Sequence, residues 1–176
     1  MQTGSDQLTQ THYRGRYLSL VERDGWEYAT RAHPVVAVLV AWLADRRLLL
    51  VEQFRKPVEN TVIELPAGLV GDQGEESVFE AGHRELVEET GYAATNLTEI
   101  MRCPTSAGMT DETAVFLAAS GLEQVGAGGG DASEAITVHA VARDEIDTWL
   151  RTQLDHGKAV DPKVFTALYW GAPGEK

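Results

Sequence analysis

Between His83 and Thr90 the chain reads HRELVEET, which places three glutamates, Glu85, Glu88 and Glu89, within eight residues. On a helix, at roughly 100° per residue, these three fall within an arc of about 100°, with Phe79 and Leu86 to one side. Like charges three or four residues apart destabilise an isolated helix by roughly 0.2–0.5 kcal/mol per pair. The spacing therefore works against local stability and calls for a cation.

Arg84, four residues before Glu88, is one candidate, but a single guanidinium does not neutralise three carboxylates with Glu75, Glu76 and Glu80 close by. A hard divalent metal does. Carboxylate oxygens, backbone carbonyls and water suit Mg²⁺ or Mn²⁺, and no clustered His or Cys set supports a zinc site. His83 points off the acidic arc and reads as structural or exposed. The plain alternative for an acidic run is a solvated helix face, so the surrounding elements decide.

The segment SVFEAGHRELVEET has helical spacing up to Gly91, a C′ residue, and follows a Pro- and Gly-rich loop, PAGLVGDQGEE. Ahead of that loop, Ile63-Glu64-Leu65 reads as strand. RYLSLVERDGWEYATRA alternates apolar and polar residues about Asp24-Gly25, which predicts a hairpin of Tyr17–Val21 with Trp26–Thr30. Two strands alone do not bury a face, so this hairpin needs a partner surface. VVAVLVAWL and LLLVEQF, separated by ADRR, read as a second hairpin buried on both faces.

Leu97–Arg102, Ala114–Ala118 and Ile136–Ala142 read as further strands. Gly121–Glu134 is glycine-rich and aperiodic, a surface loop or a substrate lid. Ile146, Trp149, Leu150 and Leu154 share one helical face that stops at Gly157. Asp161-Pro162 opens a last helix with an apolar face of Val164, Phe165, Leu168 and Tyr169. Trp26 and Tyr28 read as strand core, with stacking on a base across a dimer interface as their other use. There is no internal repeat.

The 176 residues fit one fold with a small extension. The composition, 43% hydrophobic and 24% charged, is that of a globular protein, and no apolar run reaches the roughly 18 residues that span a bilayer. MQTGSDQLTQTHYRGR lacks an apolar signal region and reads as a disordered lead-in. Cys103 is the single cysteine, which excludes an internal disulfide and agrees with a cytoplasmic location. A net charge of −12 argues against a phosphate-tracking nucleic-acid surface. An anionic substrate would need positive charge recruited locally.

Arg84 to Tyr92, RELVEETGY, resembles the second half of the Nudix box, GX5EX7REUXEEXGU, and Glu76 sits eight residues before Arg84 as that pattern requires. The box glycine is the departure: Val70 stands at its position, between Gly68 and Gly71. If Gly68 takes that role, the loop is two residues longer and the carboxylate spacing is unchanged. VEQFR, ELPAG and SAGMTDE extend the resemblance toward the ADP-ribose pyrophosphatase subgroup of Nudix hydrolases.

The resemblance implies an α+β fold, a Nudix α/β/α sandwich with a mixed central sheet. An N-terminal antiparallel β-hairpin extension over residues 1–33 would precede a Nudix domain over 34–176. It implies metal-dependent cleavage of the pyrophosphate of a nucleoside diphosphate sugar, ADP-ribose giving AMP and ribose 5-phosphate, with Mg²⁺ or Mn²⁺ as cofactor. Glu85, Glu89 and the Ala67 carbonyl would ligate the metal, with Glu88 bound or bridging through water. Glu76 and Arg84 would form a supporting ion pair, and Arg55 would contact substrate. Glu112, with Asp111 behind it, or the box glutamate Glu88 would act as general base. The hairpin would be exchanged in a homodimer. The alternatives are hydrolysis of GDP-mannose or another nucleoside diphosphate sugar, and a nucleotide-sensing module that does not cleave.

Overall fold

The computed structural model describes residues 9–130 and 135–171. The carboxylate segment is helical: α1 spans Val78–Thr90. The Ser77 side chain accepts from the Glu80 amide and the Glu80 side chain accepts from the Ser77 amide, a capping box that satisfies orphan donors at the first turn. The Ser77 amide bond holds the Glu80 carboxyl below its ordinary value. At the other end Gly91 adopts φ 75°, where a side chain is disfavoured, and its amide returns to the Val87 carbonyl.

The strands are β1 (Gln10–Arg14), β2 (Ser19–Arg23), β3 (Trp26–Thr30), β4 (Val35–Ala41), β5 (Arg47–Arg55), β6 (Asn60–Glu64), β7 (Ala67–Leu69), β8 (Tyr92–Pro104), β9 (Thr113–Gln124), β10 (Thr137–Ala142) and β11 (Ala159–Val160). They form three sheets, ordered β1-β2-β3, β10-β5-β6-β11 and β7-β4-β9-β8. The two larger sheets are mixed: β4 runs parallel to β9 and β11 parallel to β6, and their other pairs are antiparallel.

Alternate residues of the central strands feed two cores. Val38 and Val40 of β4, Leu48 and Leu50 of β5 and Phe116 of β9 pack in one, together with helices α2 (Ile146–Asp155) and α3 (Pro162–Trp170). Leu39, Leu49, Val115 and Leu117 pack in the other, against Ala81 and Leu86 of α1. Strands covered on both faces give the helix–sheet–helix layering and the α+β fold that the sequence implies. Gly82 lets α1 lie close, since a Cβ there would stand 2.7 Å from the Leu117 side chain.

Several local expectations are corrected. The backbones of VVAVLVAWL and LLLVEQF pair at their turn, through a Trp42–Leu48 bridge and the Leu43 amide on the Arg47 carbonyl; beyond it β4 and β5 enter different sheets. Runs buried on both faces carry no alternation to name a partner, and each finds its neighbours among distant strands. The lead-in supplies β1, a fully exposed strand held by backbone pairing to β2 and not by burial. Ala67–Leu69, placed in a loop by its glycine, is strand β7. Trp26 is not core but 62% exposed, and Tyr28 is half-buried beneath the Arg23 guanidinium. On α3 the buried residues are Val164 and Ala167, while Phe165 and Tyr169 face outward.

The expected hairpin of β2 and β3 forms, with Arg23 opposite Trp26 across Asp24-Gly25, both at positive φ. Its sheet is tied to the body by the Ala29 amide on the Met109 carbonyl and by Thr30 on Asp111.

The glycine-rich segment after β9 has a definite place. Gly121 to Gln124 continue β9. Beyond them Val125 and Gly126 donate to the Gly91 carbonyl, Gly129 to Glu89 and Gly130 to Glu88, all between 2.8 and 3.0 Å. The segment thus satisfies carbonyls at the C-terminal end of α1. Residues 131–134 of the expected loop lie outside the described residues. At Gly128, φ is +67° and a Cβ would stand 2.4 Å from the Thr90 carbonyl carbon. Gly128→Ala is therefore expected to cost roughly 1–3 kcal/mol through strain and displacement of this cap. A melting temperature equal to that of the unsubstituted protein would contradict that role.

Candidate active site

A cleft of about 390 Å³ opens where β7, the N-terminal half of β4, α1 and the loop before β9 converge. Its lining includes Ala67, Gly68, Glu85, Glu89 and Glu112, with Arg31, Arg55 and Lys163 as its cations. The size is within the usual range for a small-molecule site.

Glu89 is 4% exposed, and its Oε2 accepts from the Ala67 amide at 2.9 Å. Glu85 lies one turn earlier against the same short strand. A Cβ on Gly68 would fall 1.8 Å from Glu85 Oε1, so the missing side chain is the space that the carboxylate occupies. Burial pushes the Glu85 carboxyl above its ordinary value, against the pull of Arg84 at 2.7 Å.

Arg84 gathers the remaining acids. It donates to Glu76 at 3.0 Å, to Asp72 and the Leu69 carbonyl at 3.3 Å, and to Glu88 at 3.2 Å. Arg84, and then the Gly71 amide, hold the Glu76 carboxyl below its ordinary value. Burial works against the charge on Arg84, yet Glu76 and Glu85 hold its guanidinium above the ordinary value. The arginine therefore stays charged and ties the 70–77 loop to α1.

The sequence-predicted residues are only partly brought together. Glu85, Glu89, Ala67, Arg55 and Glu112 share the cleft. Glu76 and Arg84 pair beside it. Glu88 is outside the lining, with its side chain 43% exposed, because its position on the helix turns it toward solvent. Asp111 points away to Thr30. His83 is half-buried on α1. Arg55 reaches the cleft but is itself paired with Glu64 at 2.6 Å, and Glu64 is also held by Gln53.

Local reading missed Arg31, Glu64, Asp72 and Lys163. Arg31 leaves the end of β3 and Lys163 opens α3, so nothing near either in sequence signals a shared site. Arg31 reaches Glu112 at 3.2 Å, and Lys163 sits 2.6 Å from Asp161, the N-cap of its helix.

The cleft fits a hard divalent ion. Glu85 and Glu89 offer carboxylate oxygens from consecutive turns of α1, and the bare backbone at Gly68 lets the Glu85 carboxylate lie against β7. Among the described residues a tighter set of potential ligand atoms is found elsewhere, at His12, Glu22 and Glu27 on the exposed N-terminal sheet. There the imidazole bonds Glu22 at 2.7 Å, as an ordinary cross-strand pair does.

Known proteins align with this arrangement. The NUDIX domain model matches residues 32–160. An ADP-ribose pyrophosphatase of Bacillus subtilis (strain 168) is 46% identical over 87 residues, which cover 49% of this chain and 46% of that one. That match therefore spans about half the relative's length. A methanol dehydrogenase activator of Bacillus methanolicus is 34% identical over 139 residues, 78% of this chain and 72% of the relative. A crystal structure of an ADP compounds hydrolase has the same fold, with a TM-score of 0.63 at 22% identity over 79% of this chain and 80% of that one. No helix among the described residues is long and apolar enough to cross a membrane. With the carboxylate helix, β7 and every cleft-lining residue but Arg31 and Lys163 inside the matched region, the chain belongs to the Nudix family.

Proposed function

We propose that the protein hydrolyses the pyrophosphate bond of a nucleoside diphosphate sugar, with ADP-ribose and water giving AMP and ribose 5-phosphate. The observation that carries this reading is the pairing of Glu85 and Glu89 against β7 in a cleft that cations also line. The match to an ADP-ribose pyrophosphatase supports the choice of substrate.

Glu85, Glu89 and the Ala67 carbonyl would hold Mg²⁺, with Mn²⁺ as the alternative and Glu88 bound directly or through water. The ion supplies neutralisation of the diphosphate charge and Lewis-acid activation of the attacking water. The protein's own groups do the rest. Glu76 and Arg84 fix the 70–77 loop to α1, so that the carboxylates keep their spacing. Arg55, oriented by Glu64, offers positive charge to the phosphates. Glu112, which also lines the cleft, is the carboxylate that takes the proton of the attacking water, with Glu88 the alternative.

The N-terminal unit, residues 1–33, exposes Tyr13, Tyr17, Leu18 and Trp26, and a second copy of the chain is the partner we propose to cover them. The Nudix domain would then be residues 34–176. Light scattering should give twice the chain mass, and a monomer at working concentration would remove this part of the reading.

Release of AMP should be measured over ADP-ribose, other ADP-sugars, GDP-mannose and NADH, with Mg²⁺ and with EDTA. ADP-ribose should lead, and EDTA should abolish turnover. Cleavage led by GDP-mannose would keep the chemistry and move the substrate. Binding without cleavage of any member would favour the nucleotide-sensing alternative.

Glu89→Gln should lose most turnover while its far-UV spectrum and fold are retained; wild-type-like rates at limiting Mg²⁺ would sink the ligand assignment. Gly68→Ala should act at a distance of one residue from the metal, by pushing the Glu85 carboxylate from its place. The expected result is a Mg²⁺ requirement raised about tenfold or more at nearly unchanged melting temperature. An unaltered Mg²⁺ dependence would mean that Glu85 is not where the ion binds.

A further inference from the structure

A second cavity, of about 430 Å³, lies at the other end of β5 from the cleft. It is lined by Asp45 and Arg46 of the β4–β5 turn and by Ala142, Arg143 and Asp144 between β10 and α2. Backbone contacts join the two segments there: Ala142 stands opposite Arg47, and the Arg143 amide donates to the Arg46 carbonyl at 3.1 Å. β5 has nine residues, and at roughly 3.3 Å per residue its ends lie about 26 Å apart. The cavity is therefore separate from the cleft, which β5 reaches at Arg55.

The two arginines of this cavity form no ion pair among the described residues, although two aspartates share its lining. Asp45 is taken by Arg47, which donates to it through its amide at 3.3 Å and its Nε at 2.7 Å. The Nε of Arg143 is buried, and no acceptor among the described residues reaches it. A buried charged donor without an acceptor bears the cost of its lost hydration, so native structures seldom keep one unless something else accepts from it. Arg46 adds a second oddity. Its φ is 64°, a left-handed value that glycine adopts at less cost. The turn thus carries a guanidinium to the cavity at a position where backbone geometry favours a residue without a side chain.

We propose that this cavity binds the phosphate group of a small phosphorylated sugar. Two guanidiniums from separate segments suit a dianion with several acceptor oxygens better than a single carboxylate, and the phosphate provides the acceptor for Arg143 Nε. The cavity is larger than a phosphate ion, which leaves room for an organic part. Asp144 is exposed, and a carboxylate only accepts, so the group beside the phosphate is one that donates, as sugar hydroxyls do. Glu145 and Asp147 follow in sequence, so no broad positive field surrounds the cavity and recognition rests on the two guanidiniums at contact. The site stands whether or not the cleft hydrolyses a nucleoside diphosphate sugar.

The test is a titration of ¹⁵N-labelled protein with glucose 6-phosphate, inorganic phosphate and glucose. NMR follows the Arg143 Nε–H, assigned through its loss in Arg143→Lys, and the backbone amides of Arg46 and Asp144. These signals should move together and saturate, with a midpoint for glucose 6-phosphate below about 5 mM and a higher one for inorganic phosphate. Glucose should leave them unmoved. Arg46→Gly removes one guanidinium and relieves the left-handed backbone, so it should melt no lower than wild type and still need about fivefold more glucose 6-phosphate or greater.

Signals that fail to saturate, or shifts confined to the cleft amides of Gly68 and Glu89, overturn the proposal and leave water as the acceptor for Arg143 Nε. A midpoint for Arg46→Gly within about twofold of wild type overturns it too. Glucose 6-phosphate binding no more tightly than inorganic phosphate overturns the assignment to a sugar. Should Arg143→Lys fail to fold, the backbone amides and Arg46→Gly still decide.

Discussion

Glu85 and Glu89 are held one turn apart on α1, both largely shielded from water and both pressed on the three-residue strand β7. Two like charges in that setting repel each other and lose hydration, and the surrounding structure is arranged to tolerate this. The Ala67 amide meets Glu89, Gly68 gives up its side-chain volume to Glu85, and Arg84 spans Glu85, Glu88 and the loop acids. The helix itself is secured at both ends, by the Ser77–Glu80 box and by the glycine-rich segment that packs on its last carbonyls. Local stability is thereby given up by the side chains along the second half of the helix and recovered by the backbone bonds at its ends.

The layered fold converts this helix into a site. Strands buried on both faces bring residues from the end of β3, from β5 and β6, from the loop before β9 and from the start of α3 to one cleft. The chain carries a large net negative charge, yet three of its cations line that cleft together with the carboxylates. An anionic substrate with a metal ion would match that distribution of charge. Each of these cations is paired with a neighbouring acid, Arg31 with Glu112, Arg55 with Glu64 and Lys163 with Asp161.

Much of this was readable from local sequence, and the parts that were not share a physical cause. Glu85, Glu88 and Glu89 on one arc, the start of α1 near Ser77 and its end at Gly91, and the Asp24-Gly25 turn all depend on contacts within a few residues, where spacing carries the information. The partners of β4 and β5 were not readable, because runs of consecutive apolar residues specify burial but not a neighbour. β7 was hidden because Gly68, which reads as loop, is there to admit a carboxylate. The glycines after β9 look like an unconstrained loop until the carbonyls of Glu88 and Glu89 are seen against them. Arg31 and Lys163 are joined to the site only by tertiary structure.

The proposed hydrolysis depends on where a divalent ion binds, and anomalous scattering from crystals grown with Mn²⁺ reads that directly. The expected result is a peak in the cleft between Glu85, Glu89 and the backbone of Ala67. A map without a peak there, or with one only at His12, Glu22 and Glu27, would contradict it.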